Sequence, residues 1–207
     1  MKVLLLNGSC RANGCTYTAL AEVAKTLEKN GIQTEIFQIG ANPVRDCIGC
    51  MQCAGKGRCV FDDDRVNEFI ERAGEADGFV FGSPTYFAHA DGRILCFLDR
   101  AFYAGKSCFE HKPAGIVAVA RRAGTTATID TLNKYPTIAQ MPLVASSYWN
   151  MAFGKKPEDI LRDEEGIQTM RNLGENMSWI LKCIEAGRNS GISAPVNSTG
   201  IRTNFIR

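Results

Sequence analysis

At 207 residues, with 45% hydrophobic and 22% charged residues, the chain has the composition of an ordinary globular domain and excludes disorder as its main state. A net charge of +2 with no long Lys/Arg run offers no surface for nucleic acid or anionic lipid, and no apolar stretch approaches a membrane span. Nine cysteines are many where disulfides rarely persist, so they point to metal or redox chemistry.

In chain order, residues 3–6 form a continuous apolar run, the pattern of a strand buried on both faces. Lys2 and this short run do not make a signal-peptide core, which places the protein in the cytoplasm. A small-residue loop follows, and helical periodicity runs from 16 to 29, where Asn30-Gly31 stops it. Residues 33–39 alternate and predict a strand near the sheet edge. Residues 40–61 show neither period. Asp62-Asp63-Asp64 then opens a helix over 65–73, with acids suited to its N-terminus. A second buried strand at 78–82 is stopped by Ser83-Pro84, and a helical segment carries Ile94, Leu95, Leu98 and Phe102. A third apolar strand is predicted at 114–120, a helix at 126–132 and a final strand at 141–145. A long amphipathic helix spans 164–185.

Strands alternating with helices imply parallel βαβ units with right-handed crossovers. Five strands with a loop of anion-binding character after the first suit an α/β, flavodoxin-like three-layer fold, its parallel sheet ordered 2-1-3-4-5. Residues 1–207 are read as one domain with a cysteine-rich loop at 40–61 and a tail at 187–207. That tail ends on Phe205-Ile206, and apolar residues at its end imply docking on this subunit or a neighbour.

The loop after the first strand joins small residues and hydroxyls to a helix N-terminus, where first-turn N–H groups lack partners and the helix dipole favours an anion. Ser9, Asn13 and Thr16 add donors, and Arg11 adds charge. Its glycines fit neither G-x-G-x-x-G nor the P-loop ending, which leaves a monophosphate, of which flavin mononucleotide (FMN) is commonly held this way. An ordinary βα turn without ligand is the alternative.

Cys47, Cys50 and Cys53 stand at two-residue separations, with Cys59 close behind. Four thiolates so close suit an iron–sulfur cube, and Gly49, Gly55 and Gly57 permit the positive-φ turns such wrapping needs. Zinc also takes four thiolates, although its structural sites usually separate two C-x-x-C knuckles by a dozen or more residues; free or redox-active thiols are the third reading. Cys10, Cys15, Cys96, Cys108 and Cys183 are scattered and read as small hydrophobic residues.

The residues Gly8-Ser9, Arg11, Asn13-Gly14 and Thr16, the cysteine run, Asp62-Asp63-Asp64 and Gly82 to Phe87 together resemble the iron–sulfur flavoproteins. These belong with the flavodoxin-like NAD(P)H-dependent FMN reductases. Ala120 to Gly124 and the stretch from Tyr148-Trp149-Asn150 to Gly174 are similar to the same group. The resemblance implies FMN, a [4Fe–4S] cluster on Cys47, Cys50, Cys53 and Cys59, and a homo-oligomer, dimer or tetramer, whose neighbouring subunits complete the redox site. It assigns Ser9, Arg11, Asn13, Gly14 and Thr16 to the phosphate and Pro84, Thr85, Tyr86 and Phe87 to the flavin ring. The turn Arg121, Arg122 to Gly124 would face the pyrimidine edge. The bland readings are packing under a loop for Tyr86 and Phe87, and solvated surface for Arg121, Arg122 and His89.

Three functions follow. The chain is an enzyme in which FMN takes electrons from NAD(P)H and passes them on, with no side-chain acid or base required. It is instead an electron-transfer module fed by a carrier such as ferredoxin. Or it is a non-catalytic redox or metal sensor that uses the cysteine loop as a switch. Without the cluster, the first becomes a plain FMN or quinone reductase.

Overall fold

In a computed structural model, which describes residues 1–201, 203 and 205, five parallel strands form the sheet core. They are β1 (Lys2–Asn7), β2 (Gln33–Gln38), β3 (Gly78–Tyr86), β5 (Ala114–Ala120) and β6 (Met151–Phe153), in the order β2-β1-β3-β5-β6. A two-residue β4 (His89–Ala90) pairs antiparallel with the end of β3. With β4 set aside, this is the expected order 2-1-3-4-5.

The apolar runs explain the layering. Successive side chains of β1 point to opposite faces, so Val3 and Leu5 join one core while Leu4 and Leu6 join the other. The first core is closed by α1 (Cys15–Lys29) and the long α6 (Glu164–Asn189), which supply Leu20, Val23, Met170 and Leu173. α1 and α6 approach closely at Gly174, where a Cβ would lie 2.7 Å from that of Thr26. The second core lies under α2 (Val66–Glu75), α3 (Gly92–Gly105) and α4 (Thr125–Ile138). It is rich in aromatic rings, with Phe102 and Phe109 stacked at 4.3 Å and Phe69 edge-on to Phe37 and Phe97 at 5.3 Å.

The last strand differs from expectation. Residues 141–145 make one isolated bridge, Ala114 to Leu143, and the strand proper is Met151–Phe153, paired with Ala118–Ala120. Both segments follow the same edge of β5. Between them the chain leaves the edge, carrying Tyr148 and Trp149 out to solvent, and returns where the Ala118 N–H donates to Asn150 O at 2.9 Å. Strand β3 runs four residues past the expected stop at Gly82, because Pro84 still pairs in register with Val119 and Thr85 with Ala90. α5 (Pro157–Arg162), started by a proline and by Asp159 capping, has no counterpart in the periodicity. In the tail, Val196, Ile201 and Phe205 are exposed, and Asn197 donates to Gln140 Oε1 at 2.5 Å; Ile206 lies outside the described residues. No helix among the described residues is long and apolar enough to cross a membrane.

Candidate functional site

The loop between β1 and α1 is held from beneath by two amides. Asn7, fully buried, accepts from the Ser9 N–H at 3.1 Å, donates to the Arg11 and Ala12 carbonyls at 3.4 Å, and meets Gln38 Oε1 at 2.5 Å. Gln38 Nε2 donates to Ser9 O at 2.6 Å. Gly8 sits so close to β3 that a Cβ would fall 2.8 Å from Gly82 O and 2.6 Å from Ile94 Cδ1. Gly14 is the N-cap of α1, and no side chain caps the helix there, so its first-turn N–H groups face the opening above.

That opening is a cleft at the carboxyl ends of β1, β3 and β5, where ligands bind in open α/β sheets. Of the residues singled out in the sequence, Ser9, Arg11, Thr16, Pro84, Thr85, Tyr86 and Arg121 line it. Asn13, Phe87, Arg122 and Gly124 lie outside its lining, and Gly14 sits behind it as the N-cap. Phe87 is fully exposed, in the left-handed region at φ 50°. The structure adds Cys15, Gly154 and Lys155 to the lining. Burial pushes the Cys15 thiol up, and its Sγ lies 3.8 Å from Gly154 O. Burial likewise raises the Tyr86 phenol. Arg11, Arg121 and Lys155 make the rim cationic, as an anionic ligand requires. His89 is exposed and meets Thr131 Oγ1 at 2.9 Å, away from the cleft lining.

Gly124 acts as a buttress. It holds φ 90°, and a Cβ would lie 2.3 Å from Ala88 Cα. Thr85 Oγ1 meets Thr128 Oγ1 at 3.0 Å, fastening the same wall to α4. Gly124→Ala is therefore expected to cost about 1–3 kcal/mol through strained backbone and to lower the urea midpoint at unchanged m value.

The cysteine run forms an irregular loop with Gly49, Met51, Gly55 and Gly57 in the left-handed region, at φ 63°, 58°, 70° and 67°. Cys47, Cys50, Cys53 and Cys59 line one small cavity. Burial, with the neighbouring Cys59, Cys50 and Cys47, pushes the Cys53 thiol up. Among the described residues, no three His, Cys, Asp or Glu side chains converge on a point that one metal ion would fill. Two buried residues that periodicity did not flag organise this loop. Asn67 accepts from the Cys59 N–H at 2.8 Å and donates to the Cys59 and Phe61 carbonyls at 3.1 Å. Arg100 donates from Nε to Cys59 Sγ at 3.3 Å and forms an ion pair with Asp64. Burial works against the Arg100 charge, but hydrogen bonds to Cys59 and Asp64 outweigh it and hold the group above its ordinary value. The one available signal was position: Arg100 falls on the apolar face of α3, three residues after Phe97. Of the scattered cysteines, Cys183 is exposed on α6 and is not a core residue.

Residues 1–156 match the family model described as NADPH-dependent FMN reductase. The chain belongs to that family. It is a flavin-dependent oxidoreductase with the FMN-binding fold. An iron–sulfur flavoprotein of Methanocaldococcus jannaschii is 32% identical over 194 residues, covering 89% of this chain and all of that one. Another, from Methanosarcina thermophila, is 23% identical, over 91% of this chain and 99% of its own. Among solved structures, a flavodoxin from the domain Archaea aligns at TM-score 0.60 and 13% identity, covering 88% of this chain and 99% of that one, which shows the shared fold. The cleft above Gly14 is the candidate flavin site, and the cysteine loop sets four thiols beside α3.

Proposed function

We propose that this FMN reductase family member takes electrons from NAD(P)H, or from a reduced carrier such as ferredoxin, and passes them to an acceptor through a [4Fe–4S] cluster on Cys47, Cys50, Cys53 and Cys59. The observation that carries this reading is four thiols of one loop lining one cavity. A tetrahedral zinc site at Zn–S distances near 2.3 Å needs sulfurs ~3.8 Å apart around one point. Four thiols of one short loop around one cavity supply a ligand for each iron of a cube.

The donor set of the cleft fits FMN. The uncapped first turn of α1, with Ser9 and Thr16 hydroxyls and the Arg11 charge, suits one phosphate. Pro84, Thr85 and Tyr86 form the wall for the flavin ring, and Arg121 with Lys155 supplies positive charge at its rim. Bound FMN supplies the exchange between two-electron and one-electron transfer. The chain's own task is to bind, orient and set potentials.

Anaerobic reconstitution tests the reading. The expected product carries FMN, iron and acid-labile sulfide, with cluster absorbance beside the flavin bands. Flavin without iron would leave a plain FMN or quinone reductase.

The working unit is a homo-oligomer, a dimer or tetramer. Ile48, Met51, Tyr103 and Ile138 are 60%, 58%, 58% and 74% exposed around the cysteine loop and the α3–α4 groove beside it, apolar side chains in one region that a second copy would cover. Sedimentation of the FMN-bound protein at micromolar concentration is expected to show at least a dimer; a monomer refutes it.

A further inference from the structure

A buried guanidinium aimed at a thiol is a costly arrangement with a specific consequence. Arg100 is 1% exposed within the apolar face of α3. An isolated charge there would cost several kcal/mol, and three contacts offset this. Its ion pair with Asp64, its bond to Phe61 O at 3.0 Å and its bond to Arg45 O at 3.4 Å tie the cysteine loop to α3. Those contacts use only the two terminal nitrogens. The remaining donor, Nε–H, points at Cys59 Sγ at 3.3 Å, a typical distance for a donor to sulfur, and Cys59 is the thiol furthest along the chain from the other three. Its backbone is fixed independently by Asn67, so anchoring the loop does not require the Arg100–sulfur bond.

We infer that Arg100 is a positioning residue that sets the Cys59 sulfur as the fourth cluster ligand and raises the cluster's reduction potential, with Asp64 as the opposing charge. This rests on the cluster reading above. Reduction adds one electron and makes the thiolate-bound body more negative. A donor and positive charge directed at a ligand sulfur therefore stabilise the reduced form, while a nearby carboxylate disfavours it.

The test is potentiometric titration of the reconstituted protein with dithionite as the electron source, followed by the cluster's low-temperature magnetic resonance signal. Asp64→Asn removes the negative charge while Arg100 keeps its bonds to Phe61 O and Arg45 O, so its potential is expected above that of the parent. Arg100→Gln combined with Asp64→Asn removes the sulfur donor without leaving a buried carboxylate unpaired, and its potential is expected below. A tenfold change in the reduction equilibrium, about 59 mV for one electron, is the expected size. FMN binding unchanged in both variants serves as the folding control. Opposite shifts support the inference; equal potentials, or a downward shift in Asp64→Asn alone, overturn it. If the double variant does not fold, Arg100→Lys with Asp64 intact replaces it: the charge stays to pair with Asp64 while the Nε–H directed at Cys59 is lost, a potential below that of the parent is expected, and an unchanged potential overturns the inference. A parent protein that takes up no iron overturns the cluster reading itself, and this inference with it.

Discussion

Serine in place of Cys47, Cys50, Cys53 or Cys59, one at a time, is expected to bring iron and acid-labile sulfide down sharply after anaerobic reconstitution. Each of the four lines the same cavity. A cube held by three thiolates leaves one iron open to water and oxygen. The controls are in the fold: Cys108 packs beside the second core, and Cys183 stands exposed on α6. Serine at either should leave iron content at the parent level. FMN should remain bound throughout, because the cleft is built from the β1–α1, β3 and β5 loops, and the cysteine loop is tied to α2 and α3 through Asn67 and Arg100. Iron counts and flavin absorbance on the same samples decide it. Full iron content in any of the four variants would remove that cysteine from the ligand set.

The double variant Ser9→Ala, Thr16→Ala is expected to weaken FMN binding by about tenfold to a hundredfold. A hydrogen bond to a charged group contributes about 1.5–3 kcal/mol. Ser9 Oγ accepts from the Arg11 N–H at 3.1 Å and keeps its O–H free for the phosphate; the lower part of that range applies because the first-turn N–H groups of α1 still hold the anion in the variant. The loop itself should survive, since Asn7 and Gln38 hold its backbone and the first-turn N–H groups of α1 stay in place. Calorimetric titration of flavin-free protein measures the change, and circular dichroism checks the fold. Unchanged affinity would move the phosphate away from this loop. Asn7→Ala provides a contrast: it removes a buried amide that serves the loop and not the ligand, so stability should fall together with affinity.

Much of this architecture was legible along the chain because its strands are buried on both faces. Residues 3–6, 78–82 and 114–120 are continuous apolar runs, and a strand between two helical layers admits nothing else. The helices announced themselves by 3.6-residue periodicity, and the anion loop by small residues between strand and helix. Four cysteines in one patternless stretch were equally visible, since metal chemistry demands residue type and spacing before it demands a fold.

The tertiary structure decided what depends on partners distant in sequence. The last strand lies at Met151–Phe153 and not at 141–145 because β5 selects which segment completes its edge, and one bridge at Leu143 was not enough. Gly154 and Lys155 entered the cleft only because the end of β6 returns beside α1. Phe87, aromatic and at a strand end, turned outward at φ 50° because Phe87-Ala88 form the two-residue turn between the paired Tyr86 and His89. Asn67 and Arg100 carry no local signature of their roles. Their partners Cys59, Phe61 and Asp64 lie up to 41 residues away from Arg100. Sequence periodicity reports which face of an element is buried. Folding alone decides which buried polar group meets which loop, because that pairing is a property of two elements at once.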